Sequence, residues 1–219
     1  CWERVITAFA ALGRTAIAPD LPGHRTRARH DPTFDSYTST VADLIRPGDV
    51  LVGHSMGGAV ACAAAAGRPA DIAHVICIAG IIPIHGRTMY SATPPLPAAD
   101  AIDSDEHGFR IKDFTTYRDR YCHDVSEDQS RATYATLERE SHRPYRTPIS
   151  VSAFYSSGIP RSYIACMQDR TGTLATVEDG IKRLGINTVH PLNASHSPFM
   201  SRPEDLANLI STIVNQNQR

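Results

Sequence analysis

The sequence predicts an α/β domain: a mostly parallel sheet flanked by helices, with an inserted lid. Three observations predict it. Short apolar runs of strand length alternate with segments of helical period, the pattern of parallel strands joined by crossover helices. The alternation stops at about residue 83 and resumes after residue 148, which divides the 219 residues into a core first part (1–82), a lid insertion (83–148) and a core second part (149–219). Between a compact apolar strand and an Ala-rich helix, finally, lies the glycine-flanked turn Gly53-His54-Ser55-Met56-Gly57-Gly58. A chain of this length buries one sizeable core and is short for two.

Taken in order, Val5, Ile6, Phe9 and Leu12 recur at helical spacing from Trp2, and Gly13 stands where a C-terminal cap belongs. Thr15 to Ala18 reads as a short buried strand. Asp20-Leu21-Pro22-Gly23-His24 then opens a loop carrying Arg25, Arg27, Arg29 and His30, read as a solvated basic run rather than a binder of substrate carboxylates. A helix follows over Tyr37 to Ile45, ended by Pro47 and Gly48, then a strand from Asp49 to Gly53 and a helix from Met56 to Ala66. His74 to Ala79 is a further apolar strand. The lid is polar and rich in Pro, Arg, Asp, Tyr and His, with one convincing helix near Ser126 to Glu138. Beyond it come a strand at Tyr163 to Met167, a helix with Leu174, Val177, Ile181 and Leu184 on one face, and a strand at Asn187 to His190. The last helix is marked by a capping box from Ser201 and Glu204, by Pro203 in its first turn, and by the stripe Leu206, Leu209, Ile210, Ile213 and Val214.

Acidic and basic residues nearly cancel, to a formal net charge of −1, so no general field draws the protein to nucleic acid or an anionic membrane. No stretch reaches the roughly 18 to 20 apolar residues of a membrane span. The N-terminus, opening on Cys1 and Trp2 rather than Met, has no signal-peptide pattern, and a cytoplasmic location is expected. Cys1, Cys62, Cys77, Cys122 and Cys166 form no CxxC pair and resemble no zinc site. They read as small buried apolar residues in a reducing compartment.

The chemistry centres on Ser55. A strand-to-helix turn this tight strains the serine backbone, and side chains two residues before and two after would clash; Gly53 and Gly57 occupy those positions. The turn places Ser55 at a helix N-terminus, where the Met56 N–H is a donor for an oxyanion formed by attack on a carbonyl. A serine hydroxyl is a weak nucleophile at neutral pH and requires a base, which in turn requires a group that fixes its tautomer. Of ten histidines, His196 is the one between the last strand and the last helix, in Asn193-Ala194-Ser195-His196-Ser197-Pro198-Phe199. Asp169 directly follows a strand, so both fall at the C-terminal edge of the sheet beside Ser55. Asp103, Asp105 and Asp124 in the lid are the fallback acids. Phe199 is a candidate for the pocket mouth, and the lid residues Met89, Tyr90, Phe114, Tyr117, Tyr121 and Tyr134 fit either a pocket lining or the core.

Together, Gly53-His54-Ser55-Met56-Gly57-Gly58, Asp20-Leu21-Pro22-Gly23-His24, Gln168-Asp169-Arg170 and Ser195-His196-Ser197-Pro198 resemble the α/β-hydrolase superfamily, within it the branch of methylesterases and hydroxynitrile lyases and their bacterial relatives. The resemblance covers nearly the whole chain and thins in the lid. It implies a cofactor-free serine hydrolase, an esterase with Ser55, Asp169 and His196 as triad, no metal, a small-molecule ester as partner and neither nucleic acid nor membrane; a homodimer is left open. It also implies two departures. The cyanogenic lyases carry a lysine after the catalytic histidine, where Ser197 stands here, which argues against cyanohydrin cleavage. Such hydrolases also begin with a strand ending in a His-Gly oxyanion loop ahead of the Trp2 helix. Residues 1–219 do not contain it, so the N-terminal strands and the second oxyanion donor are expected to be missing from this chain, with an incomplete sequence preferred over lost function. Two other readings remain open: a non-catalytic or weakly active ligand-binding protein on the same scaffold, and a lyase or thioesterase using the same triad in biosynthesis.

Overall fold

A computed structural model describes residues 1–27, 32–92, 101–172, 174–186 and 189–216. The first part of the chain runs through α1 (Glu3–Ala11), α2 (Phe34–Ala42), β1 (Asp49–His54), α3 (Met56–Gly67) and β2 (Ile72–Ile78). Between β2 and the next core strand lie α4 (Met89–Ala92), β3 (Ile102–Ser104), β4 (Gly108–Ile111), α5 (Phe114–Tyr121), α6 (Glu127–Tyr134), β5 (Glu140–Ser141), α7 (Arg143–Arg146) and α8 (Ser152–Ser156). The chain then closes with β6 (Arg161–Cys166), α9 (Leu174–Leu184), β7 (Val189–Leu192), α10 (Pro198–Ser201) and α11 (Pro203–Gln216).

The strands β1-β2-β6-β7 form a four-stranded sheet in that order, every pair parallel. Side chains alternate between its faces. Val75 and Cys77 of β2 join Tyr163 and Ala165 of β6 in one buried cluster with α2, α3 and α9, while Ile76, Ile78, Ile164 and Cys166 join a second with α1 and α11. Cys62, Cys77, Cys122 and Cys166 are all buried free thiols. No helix among the described residues is long and apolar enough to cross a membrane.

Local signals explain most boundaries. Gly13, at φ 70°, ends α1 in a paired cap: its N–H donates to Ala10 O at 3.0 Å, and the Arg14 N–H donates to Phe9 O at 2.9 Å. α2 begins three residues earlier than the Tyr37 start expected from its periodicity and ends at Ala42, because a reciprocal capping box between Thr33 and Ser36 nucleates it. The expected Ser201–Glu204 box does not form. Ser201 belongs to α10, and its hydroxyl faces the Asp124 carboxylate instead.

Two further expectations are corrected. Thr15–Ala18 forms no strand; no described strand pairs with it, and Ile17 is 67% exposed. A strand is fixed by its neighbours, and apolar sequence without a ladder is not enough. The segment 83–148 holds more structure than the single helix expected near 126–138. α5, started by the Asp113 side chain accepting from Thr116 N–H at 2.8 Å, precedes α6, and β3-β4-β5 form a separate antiparallel sheet. The β7 strand is shifted toward Leu192; residues 187 and 188 of the expected strand lie outside the described residues, as do Arg29 and His30 of the basic run.

Of that basic run, Arg25 pairs with Glu3 at 3.3 Å and Arg27 donates to Thr40 Oγ1 at 2.7 Å. His24 ties the same loop to the β5 segment, lying 3.3 Å from Glu140 Oε2 and 3.6 Å from Glu138 Oε2, while Tyr37 donates to Glu140 Oε1 at 2.9 Å. The Glu140 hydrogen bond, helped by both carboxylate charges, holds the half-buried His24 imidazole above its usual value despite burial. A raised folded value means that the protonated ring stabilises the fold fully below the unfolded value of 6.5, and that this contribution is lost as pH rises through the folded value. His24→Gln is therefore expected to lower Tm more at about pH 5.5 than at about pH 9. Thermal unfolding at both pH values checks it, and equal losses would show that the ion pair contributes nothing.

Candidate active site

The turn after β1 is built as the glycine spacing demands, with one change. Ser55 sits at φ 51°, ψ −122°, a region that costs a non-glycine residue about 1–3 kcal/mol and persists only where surroundings impose it. They do so through the backbone: Ser55 N–H donates to Ile78 O at 3.1 Å, and Ser55 O accepts from Gly58 N–H at 3.0 Å and Ile81 N–H at 2.8 Å. A Cβ on Gly53 would lie 2.1 Å from Gly57 O and 2.7 Å from Gly58 N. Gly57, expected to be the second sterically required glycine, has nothing within 4 Å of where its Cβ would be. The close approach falls on Gly58, whose Cβ would meet Ile81 O at 3.1 Å. Met56 opens α3, and no described residue accepts a hydrogen bond from its N–H.

Asp169, just past β6, and His196, in the loop between β7 and α10, meet directly: His196 Nδ1 lies 2.7 Å from Asp169 Oδ2, with both side chains nearly enclosed. Burial raises the Asp169 carboxyl, but the His196 bond and charge and the Thr171 donors outweigh it, so the group sits below its usual value. Thr171 completes the arrangement. Its N–H and Oγ1 bond Asp169 Oδ1 at 2.7 and 2.8 Å, and Oγ1 lies 2.9 Å from His196 Nδ1.

The Ser55 turn and the Asp169–His196 pair are joined by His54. Its Nε2 donates to the His196 carbonyl at 2.6 Å, and its ring stands edge-on to His196, centroids 4.7 Å apart. Burial, with the neighbouring His196, pushes His54 down to about 3, which keeps it neutral and able to act as this donor. Ser55 Oγ itself makes no hydrogen bond to His196 in this structure; such contacts are often long without substrate. Sequence reasoning missed His54 and Thr171. The first occupies the variable place of the glycine-serine turn, and the second carries a hydroxyl that only the loop conformation aims.

The fallback acids lie elsewhere in the network. Asp103 pairs with Arg110 at 3.2 Å and Asp105 with Arg139 at 2.7 Å. Asp124 contacts the histidine loop through the backbone, accepting from Ser195 N–H at 2.9 Å. Of the aromatic candidates, Tyr121 stands edge-on to His196 at 5.4 Å and Phe199 edge-on to His54 at 5.0 Å. Met89 and Tyr117 are buried in the core.

A family model described as "Alpha/beta hydrolase family" matches residues 1–209. The chain belongs to the alpha/beta hydrolase family. Among curated relatives, this hydrolase is 28% identical over 229 residues to a pyrethroid hydrolase from Sphingobium wenxiniae, an alignment that spans 96% of this chain and 81% of that protein. It is 34% identical to the esterase PIR7B of Oryza sativa subsp. japonica over 98 residues, 41% of this chain and 37% of that esterase. Among solved structures, a pyrethroid hydrolase from Sphingobium faniae JZ-2 superimposes with a TM-score of 0.83 at 25% identity, covering 98% of this chain and 92% of that one. Polyneuridine aldehyde esterase gives 0.80 at 18% identity over 97% and 92%.

The glycine geometry of this hydrolase makes a direct prediction. Gly53→Ala is expected to cost about 3 kcal/mol or more, because the new Cβ meets backbone that can move only by displacing the start of α3. Gly57→Ala is expected to be neutral or to stabilise by up to about 1 kcal/mol. Denaturant unfolding of both variants checks the contrast, and equal losses would show that the Ser55 turn is not set by these contacts.

Proposed function

We propose that the protein cleaves carboxylic esters through an acyl-enzyme on Ser55, with His196 as base and Asp169 as its orienting acid. The observation that carries this reading is the His196 Nδ1 to Asp169 Oδ2 hydrogen bond of 2.7 Å. It fixes the tautomer in which Nδ1 bears the proton and the Nε2 lone pair is free to accept one. That the relatives are named a pyrethroid hydrolase and an esterase supports the same bond class.

In the first half-reaction the Ser55 Oγ–H proton passes to His196 Nε2 as Oγ bonds the ester carbonyl carbon. The tetrahedral oxyanion takes a hydrogen bond from the Met56 N–H at the start of α3, where the helix N-terminus favours negative charge. The acyl C–O bond then breaks, and His196 returns its proton to the departing alkoxide. Water then bonds the acyl carbon as His196 takes its proton, the Ser55 Oγ–acyl bond breaks, and His196 returns that proton to Ser55 Oγ as the free acid leaves. Asp169 stays ionised throughout and balances the transient imidazolium. The substrate is a small or medium, fairly apolar ester held between the sheet edge and the 83–148 segment, here acting as a lid, with Tyr121 and Phe199 flanking the histidines. The name of the Sphingobium relative puts pyrethroids among the first substrates to try.

Ser55→Ala is expected to lower kcat by about 10⁴-fold or more, and Asp169→Asn by roughly 10³- to 10⁴-fold through loss of the correct histidine tautomer. Turnover of p-nitrophenyl esters checks both. Intact-mass spectrometry after a fluorophosphonate probe provides a second readout: one adduct on the wild type and none on Ser55→Ala supports the reading, and unchanged turnover in Ser55→Ala overturns it.

A further inference from the structure

The backbone that presents His196 is held from two sides. On its C-terminal side the His196 carbonyl accepts from His54 Nε2 at 2.6 Å, which ties it to the residue beside Ser55. On its N-terminal side the Ser195 N–H donates to Asp124 Oδ2 at 2.9 Å, and the Ser195 hydroxyl donates to Tyr121 O at 3.0 Å. Ser195, His196 and Ser197 are all buried, so water does not substitute for these bonds at negligible cost. Tyr121 ends α5 and Asp124 lies in the turn between α5 and α6, both far in sequence from the loop they grip.

We propose that Asp124 is a positioning residue of the ester-cleaving site: its carboxylate, by gripping the Ser195 N–H, fixes the loop from which His196 reaches between Asp169 and Ser55. The inference rests on the triad reading above. A bond from an ionised acceptor to a buried N–H is about twice as strong as a neutral one, which suits a loop that must hold its histidine to within a fraction of an ångström. The carboxylate also faces the Ser201 hydroxyl, which with the Ser195 contacts holds it below its usual value. Asp169 already serves the imidazole, and Asp124 contacts Ser195 rather than the His196 ring, so its role is placement rather than proton transfer. Because Tyr121 O holds the Ser195 hydroxyl while the Tyr121 ring lies against His196, the same contact sets the seat of the segment above the site.

The test compares wild type, Asp124→Ala, Asp124→Asn and Ser55→Ala in kcat and KM on a p-nitrophenyl ester, with Tm measured alongside. Asp124→Ala is expected to lower kcat about 10- to 100-fold while KM stays within about twofold, the signature of a displaced catalytic group rather than a lost substrate contact. Asp124→Asn keeps an acceptor for the Ser195 N–H and is expected to restore kcat to within about threefold. If Asp124→Ala does not fold, Asp124→Ser, too short to reach the Ser195 N–H, replaces it with the same expectation. Wild-type kcat in the Ala or Ser variant, or Asn as impaired as Ala, overturns the proposal, and so does a loss confined to Tm. Ser55→Ala separates the two failures. If it is inactive while Asp124→Ala turns over like wild type, only the positioning role falls. If Ser55→Ala keeps wild-type turnover, the triad reading falls and the positioning role with it.

Discussion

The strained backbone at Ser55 is the constraint on which the rest of the site depends. A serine at φ 51° is stable only because three backbone hydrogen bonds to Ile78, Gly58 and Ile81 over-determine it. Two of those partners belong to the end of β2 and the residues after it, so the turn exists only where β1 and β2 pair in parallel with matched ends, as the His54–Ile78 register shows. Gly53 and Gly58 are the sequence price of that closeness. Gly53 lets the strand pass under α3, and Gly58 lets α3 approach the Gly80–Ile81 backbone.

Once the serine is fixed, parallel order does the rest. The register Cys77–Tyr163 and Tyr163–Val189 carries the alignment of strand ends across to β6 and β7, so the loops after those strands open on the same edge as the Ser55 turn. Asp169 and His196 meet there without long side chains reaching for each other. The remaining freedom lies in the loops, and polar contacts remove it: Thr171 orients Asp169, while His54 and Asp124 hold the backbone on either side of His196. Of the two histidines nearest the serine, His196 is buried and His54 is partly buried. Their different uses follow from their partners, since His54 is neutral and spends its N–H on a carbonyl, whereas His196 faces a carboxylate.

How much of this was legible in the sequence depends on whether a feature is local. The strands of the parallel sheet carried apolar runs that could be read directly, and Ser55, Asp169 and His196 stood out because each follows a strand in the right order. Features requiring a partner far away were not legible. Gly57 and Gly58 are indistinguishable in sequence, and only the approach of Ile81 O shows which one is sterically required. The Asp113-started helix α5 was hidden because its residues Phe114 to Tyr121 are mostly polar. Its stability comes from Tyr117 packing into the core and from Arg131 over the Phe114 ring, 4.1 Å from its centroid. The Thr15–Ala18 error is the converse: good strand sequence with no described neighbour to pair with.

The segment between β2 and β6 is tied to the rest of the chain by side-chain and backbone contacts. It touches the core at two polar points of different character. At one, Glu138 and Glu140 meet His24, a titratable contact of half-exposed groups whose strength changes with pH. At the other, Asp124 and Tyr121 hold the His196 loop through buried backbone groups. There burial raises the carboxyl while the Ser195 hydrogen bonds outweigh it, leaving Asp124 below its usual value. The second contact therefore stays charged across the range in which the first loses its proton. The two anchors of the segment thus answer differently to pH: the His24 contact weakens as the ring loses its proton, while the Asp124 contact to the Ser195 backbone does not.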